Sequence, residues 1–289
     1  HTILKNVTWD TDRYGYRTTD RSTGRYDVVL IGDSMIAGSG LTQEDTLAEM
    51  LERETGLSVY PLAPGGGARS YGEHPLFLPS PPKIVILERV ERNITHLSMP
   101  KSRYFSPNKT WRRIRYGIES NRILQVMAEG LDRIFKGNML NFIRASIRRV
   151  GGPSLPYISI DGQPFFFLEG AKANRPYSED QISRTVDVIR RYHDTFSGKG
   201  IRFIFLPIPN KETIYHKPLG TEEPHFLETL TARLRDLNIE VIDTQPAFKS
   251  IYEDRGRPLY HSDDTHWNRD GVALVTELVA ETIRKPTSR

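Results

Sequence analysis

The 289-residue sequence contains no cysteine, so it can build neither a disulfide framework nor a thiolate metal site. That absence fits any compartment and removes one hazard of an oxidising one. No stretch approaches the ~18 uninterrupted apolar residues needed to span a bilayer. Eight histidines are present, but none stands in an HExxH or similar spacing, so no metal is expected; no cofactor is expected either. The glycines at 65–67 are not followed by Gly-Lys-Ser/Thr, which excludes a phosphate loop of that kind. There is no internal repeat, no low-complexity segment and no recognised nucleic-acid-binding motif, so nucleic acid is not an expected partner. The chain starts at His1 rather than Met, which leaves a trimmed leader, a membrane anchor or a preceding domain open upstream.

What is present is globular material: 37% apolar and 26% charged residues, enough for a real core. The length suits one large α/β domain or two smaller ones. Net charge is +4 but uneven, because residues 101–150 hold twelve Lys and Arg against three acids, leaving the rest of the chain net acidic. Such a segment has two readings. One is a face for an anionic polymer or a membrane surface, and the other a solvated helical face with no partner.

Apolar runs and turn signals order the chain. "YDVVLIGDSM" (26–35) reads as a buried strand running into a turn, and "TLAEMLERETG" (46–56) as a helix with a glycine stop. "LSVYPLAPGGG" (57–67) is a second strand closed by glycines, and "PPKIVILERVERN" (81–93) a third. From about 110 to 150, Ile114, Ile118, Leu124 and later apolar residues recur at helical intervals. "YISIDGQPFFFLEG" (157–170) reads as a hairpin turning at Asp161-Gly162. A helix from about Ser178 to Phe196 follows, then a strand in "IRFIFLPIPNK" (201–211) and a helix in "PHFLETLTARLRDLN" (224–238). "IEVIDTQPAF" (239–248) reads as another strand, and a last helix runs from near Asn268 to about Ile283. This order predicts an α/β fold whose parallel central sheet takes strands from both ends of the chain. Residues 1–289 then form a single domain with a mainly helical, basic insertion at about 100–170.

Ser34 ends the first strand, at the carboxyl edge where open parallel sheets place their ligands. A serine hydroxyl needs a base to become a nucleophile; alone, "GDS" (32–34) serves equally as a turn or helix cap. In "DDTHWN" (263–268), His266 is a candidate base, and both Asp264 and Asp263 are candidates to hold its second ring nitrogen. The plainer alternative is a capping cluster for the last helix. Ser34 and His266 together make a paired signal that neither makes alone. Lys211, just past the 201–209 strand, reads as a contact for a substrate carboxylate or as a solvated lysine. Trp267 reads as core packing, or as a pocket wall that stacks on a sugar ring.

These motifs resemble the SGNH/GDSL hydrolase superfamily, in which a GDS serine pairs with a C-terminal Asp and His. More narrowly, "DTHWN" with Gly271 soon after, "LPIPNKETIY" (206–215) and "ERN" (91–93) resemble the acetyltransferase branch related to the alginate O-acetylation proteins. The resemblance covers roughly 27–95 and 200–285. It implies a three-layer SGNH-hydrolase, flavodoxin-like fold, with Ser34 as nucleophile, His266 as base and Asp264 as its orienter. The broader superfamily's Asp-x-x-His spacing would nominate Asp263 instead. The oxyanion hole would come from the Ser34 N–H and from Gly65 or Gly66. The superfamily's third block, Gly-x-Asn-Asp, is replaced here by "LERVERNI" (87–94), where Asn93 would complete the hole or Arg92 would serve the substrate in another way, with Asp33 as a further substrate contact. The plainer reading of Glu91-Arg92 is a surface ion pair.

The resemblance implies a serine-dependent O-acetyltransferase or acetylesterase, working through an acetyl-serine on a bacterial exopolysaccharide or cell-surface glycan. Its partners would be a polysaccharide or oligosaccharide acceptor and an acetyl donor, including a membrane-bound donating protein. Its place would be extracytoplasmic, either periplasmic or membrane-anchored. Two rivals stand beside it: a polysaccharide-binding or assembly module with reduced catalysis, and a lipid or thioester hydrolase with the same triad.

Overall fold

A computed structural model describes residue 7 and residues 9–19, 24–101, 157–160 and 162–286. The basic stretch from 102 to 150, the helical stripe expected within it, and Asp161 of the expected turn lie outside the described residues.

The apolar runs form strands β1 (Val28–Ile31), β2 (Val59–Leu62) and β3 (Ile84–Val90). Then come β4 (Tyr157–Ile160), β5 (Gln163–Phe166), β6 (Arg202–Ile208) and β7 (Glu240–Val241). Five of them make one sheet in the order β2-β1-β3-β6-β7, with every pairing parallel. β4 and β5 form the expected antiparallel hairpin.

Parallel strands covered on both faces require nearly continuous apolar runs, which "VVLI" and "FIFLPI" supply. Val28 and Leu30 enter one core, together with Leu51 of helix Leu47–Thr55 and Val275 of helix Arg269–Arg284. Val29 and Ile31 enter the other, against Ile189 of helix Glu179–Ser197 and Leu230 of helix Phe226–Asp236. The result is the three-layer α/β fold expected from the sequence. Local signals set the helix ends. Ser178 and Gln181 close a capping box, a device worth about 1 kcal/mol, and Gly56 ends its helix in the left-handed conformation.

Some elements differ from expectation. The strand read over 239–248 is only Glu240–Val241, and helix Gln245–Arg255 follows at once. The Thr244 hydroxyl donates to the Pro207 carbonyl at 2.7 Å and turns the chain away from the sheet. Pro246, in the first turn of that helix, gives up an N–H that would have no helical partner there. A short helix, Ala68–Glu73, follows the glycines after β2 and was not anticipated.

The sheet order places the topological switch between β1 and β3, because the chain goes out from β1 to β2 and returns beside β1 as β3. Ligand crevices of doubly wound sheets form there, beyond the carboxyl ends of the strands. The "GDS" turn leaves β1 at that point.

Candidate active site

The nucleophile turn is built from β1 outward. Ladder pairing stops at Ile31, and beyond it the turn is held by side chains. Asp33 accepts the Met35 N–H at 3.0 Å and faces the Val90 N–H and the Asn93 amide, both at 3.4 Å. Beneath the turn, Glu88 is fully buried and accepts the Asp33 N–H at 3.0 Å. A Cβ on Gly32 would lie 2.5 Å from that carboxyl oxygen, so only glycine lets the turn pass over Glu88. Burial, reinforced by the charge of Asp33, holds the Glu88 carboxyl well above the ordinary carboxylate range.

His266 arrives from the loop before helix Arg269–Arg284, whose cap is the Asn268 side chain accepting the Gly271 N–H. An antiparallel bridge between Tyr260 and Trp267 closes the base of that loop. His266 Nδ1 lies 2.9 Å from Asp264 Oδ1, and Nε2 lies 2.7 Å from Ser34 Oγ. Ionised Asp264 only accepts hydrogen bonds, so the proton sits on Nδ1. Nε2 is then left to accept from the serine hydroxyl. Burial opposes charge on Asp264, but the hydrogen bond and charge of His266, with the Thr265 N–H, outweigh it and hold the carboxyl down at about 2. Of the two acids that the sequence left open, the structure pairs Asp264 with His266.

On the opposite side, the glycine loop is pinned to the nucleophile turn. Gly32 N–H donates to the Leu62 carbonyl at 3.3 Å, and Gly66 N–H to the Gly32 carbonyl at 3.0 Å. Arg89 donates to the Gly66 carbonyl. A Cβ at Gly66 would lie 1.9 Å from the Leu62 oxygen, so the close approach requires glycine. This corrects one expectation: the Gly66 N–H is already bonded to Gly32 and is no oxyanion donor. Among the described residues, the N–H groups of Ser34 and Gly65 donate to no other group, which leaves them as the candidate pair. Asn93 is exposed at the edge of the turn, with its amide against Asp33.

Three other expected contacts land elsewhere. Lys211 is neither solvated nor open to substrate: it is fully buried, and its ammonium meets three backbone carbonyls of the base loop. Trp267 is likewise fully buried in the core on the Val28 face of the sheet, which is the packing reading of the sequence and not the pocket wall. Asp33 engages one carboxyl oxygen with the Met35 N–H and turns the other to Val90 and Asn93, at and just past the end of β3, which argues against a substrate role. Arg92 stays open: it lines a cavity of about 150 Å³ with His96, Arg175 and Tyr177.

Sequence reasoning missed Glu88 and Arg17. The signal for Glu88 was present, an acid inside the apolar strand "IVILERV". Arg17 has no local signature. It is buried, and it donates to the carbonyls of Ala37 (3.1 Å), Gly38 (2.6 Å) and Leu41 (2.7 Å), just past the nucleophile. Among the described residues, no three His, Asp or Glu side chains are grouped to hold a metal ion, and no helix is long and apolar enough to cross a membrane.

Residues 163–288, which carry Asp264 and His266, match the family described as "SGNH hydrolase-like domain, acetyltransferase AlgX". The SGNH/AlgX-like resemblance read from the sequence is borne out. No curated protein matches the chain. Among solved structures, one similar protein is from Desulfitobacterium hafniense DCB-2, named as a putative lipolytic protein of the G-D-S-L family. It shares 14% identity over 88% of this chain and 97% of its own, with a TM-score of 0.43. Another is an acetyl xylan esterase, AlAXEase, at 11% identity over 89% and 98%, with a TM-score of 0.45. At TM-scores below 0.5, neither likeness carries an argument about function. The family match and the relay together mark the chemistry as acyl transfer or ester hydrolysis.

Proposed function

We propose that the protein is a serine O-acetyltransferase or acetylesterase that acts on a bacterial exopolysaccharide or cell-surface glycan through an acetyl-Ser34 intermediate. The observation that carries it is the unbroken relay from Ser34 Oγ through His266 to Asp264, with separations of 2.7 and 2.9 Å. In the first half-reaction, Ser34 Oγ attacks the acetyl carbonyl carbon while its proton passes to His266 Nε2. The oxyanion develops towards the Ser34 and Gly65 N–H groups, where fixed donors in such sites supply a large share of catalysis. Collapse breaks the bond to the donor's alcohol, and the imidazolium returns its proton to that leaving oxygen. In the second half-reaction, His266 takes the proton of an acceptor hydroxyl, that oxygen attacks the acetyl-serine, and Ser34 leaves with the proton.

The acetyl group follows the acetyltransferase in the description of the matched family. The glycan acceptor, an acetyl-donating partner (soluble or membrane-bound) and a place outside the cytoplasm follow the motif resemblance and belong to the same proposal. Intact mass after incubation with an activated acetyl ester, with and without candidate oligosaccharides, tests it. One acetyl group on Ser34, lost on adding a glycan that gains it, is the expected result. A protein that never takes up acetyl but still binds the glycan would instead be a binding module.

A further inference from the structure

Two sequence motifs are left over once the triad is assembled: "LPIPNKETIY" and "ERN". They meet beneath the base loop. We propose that Lys211 is a positioning residue for the Asp264–His266 pair, seated by Glu91; this rests on the reading of Ser34 as the nucleophile.

Lys211 is fully buried, and its ammonium lies 2.6 Å from the His261 carbonyl, 3.0 Å from that of Asp264 and 3.4 Å from that of Ser262. It also sits over the rings of Phe165 and Phe167, at 4.8 and 5.2 Å. A charge is costly to bury unless it is fully hydrogen-bonded, and here the partners are consecutive turns of one loop. Drawing those carbonyls inward fixes the backbone on both sides of Asp263. That leaves the Asp264 carboxylate facing the imidazole. The hairpin adds one main-chain bond to the same loop, from Phe166 N–H to the Ser262 carbonyl at 2.7 Å.

Lys211 is itself placed by the end of β3. The Glu91 carboxyl accepts the Asn210 N–H at 2.9 Å and the Thr213 hydroxyl at 2.5 Å, on either side of Lys211. In return, the Arg92 N–H donates to the Asn210 side chain at 3.2 Å. Tyr260, at the mouth of the base loop, donates its hydroxyl to the Pro209 carbonyl at 2.6 Å. The two leftover motifs therefore form one buried bracket running from the edge of the nucleophile turn to the base. A lysine that served packing alone would be replaceable by an apolar side chain of similar length, because burying a charge is seldom the more stable choice.

The test is the rate at which a fluorophosphonate labels Ser34, counted per folded molecule. It is read for the wild type, Lys211→Met, Asp264→Asn and the double variant. Lys211→Met is expected to slow labelling roughly 10²-fold, the scale of a small misplacement at a catalytic group. Adding it to Asp264→Asn should cost little more, because Lys211 acts through Asp264. Wild-type labelling by Lys211→Met, or losses that multiply in the double variant, would overturn the inference. Should Lys211→Met fail to fold, Lys211→Gln, whose shorter neutral amide cannot reach all three carbonyls, goes through the same cycle. A smaller loss than in Lys211→Met is expected, and losses that multiply with Asp264→Asn overturn the inference there too. A wild type that does not label at Ser34 overturns the proposed function, and this inference with it.

Discussion

The nucleophile turn and the base loop are supported by the same kinds of group in different settings. Each has a buried cation on three backbone carbonyls: Arg17 on Ala37, Gly38 and Leu41, and Lys211 on His261, Ser262 and Asp264. Each also has a buried carboxyl from "LERVERN", with Glu88 accepting the Asp33 N–H and Glu91 the Asn210 N–H. The settings differ in what lies upstream. The turn continues β1, which is paired on both sides by β2 and β3, so most of its conformational freedom is already lost before Arg17 acts. The base loop belongs to no strand, and its main-chain ties are one bridge and the Phe166 N–H on the Ser262 carbonyl. Its shape depends on side chains that arrive from some fifty residues away in sequence. Half of the triad is rigid because of where it sits in the sheet. The other half is rigid only if its supports are intact.

The largest effects fall on the relay itself. Ser34→Ala should remove turnover of an activated acetyl ester by roughly 10⁴ to 10⁶ while leaving the urea midpoint nearly unchanged, since half-exposed Ser34 does little packing. Retained turnover would end the serine mechanism. Next is Asp264→Asn, expected to cost about 10⁴ because an amide favours the wrong imidazole tautomer. Asp263→Asn should cost far less. If the 263 variant is the inactive one, the Asp-x-x-His spacing governs and the pairing of Asp264 with His266 is not the working one.

The contrast between the two halves also explains what the sequence makes legible. "VVLIGDS" and the capping signals are local, so the strands, the turn and most helices can be read from periodicity and end signals alone. Asp264 and His266 stand out because their chemistry is compact within six residues. The supports do not, since a lysine beyond a strand looks solvated until the loop that covers it is known. Lys211 was misjudged for that reason, and Arg17 carries no pattern at all. The bond of the Gly66 N–H is not legible, because its partner, the Gly32 carbonyl, lies past the end of the neighbouring strand β1, some thirty residues away in sequence. The strand expected over 239–248 failed on a tertiary contact, the Thr244 hydroxyl on Pro207.

Arg17→Met breaks the comparison from the rigid side. It strands three carbonyls that the guanidinium now satisfies, and leaving buried groups unpaired should cost about 2–4 kcal/mol of stability. Turnover per folded molecule should fall much less than in Lys211→Met, because β1 still aims Ser34. Urea unfolding alongside turnover of the same samples separates the two. Equal losses of turnover in both variants would mean that the turn depends on its clamp as much as the loop does.

Two further effects lie in the pH dependence of stability, and they have opposite signs, the Asp264 one being the smallest of all. Burial raises the Glu91 carboxyl to about 7, against the pull of the Asn210 N–H and the Thr213 hydroxyl. An unfolded Glu releases its proton near 4.3. The folded protein therefore binds the proton more tightly, and this contribution to stability falls as pH rises from about 4 towards 7; Glu91→Gln should flatten it. Asp264 runs the other way. Its folded carboxyl is held at about 2, so its contribution is fully present above the ordinary Asp range near 3.9 and is lost as pH falls through 2. Because the Asp264 side chain is about a third exposed, solvent screening limits this to about 1 kcal/mol. Urea midpoints between pH 2 and 4 should therefore rise with pH in the wild type, and more shallowly in Asp264→Asn. Identical slopes would mean that the folded protein does not hold the Asp264 carboxylate against a charged His266, and that the relay is looser in solution than its 2.9 Å contact implies.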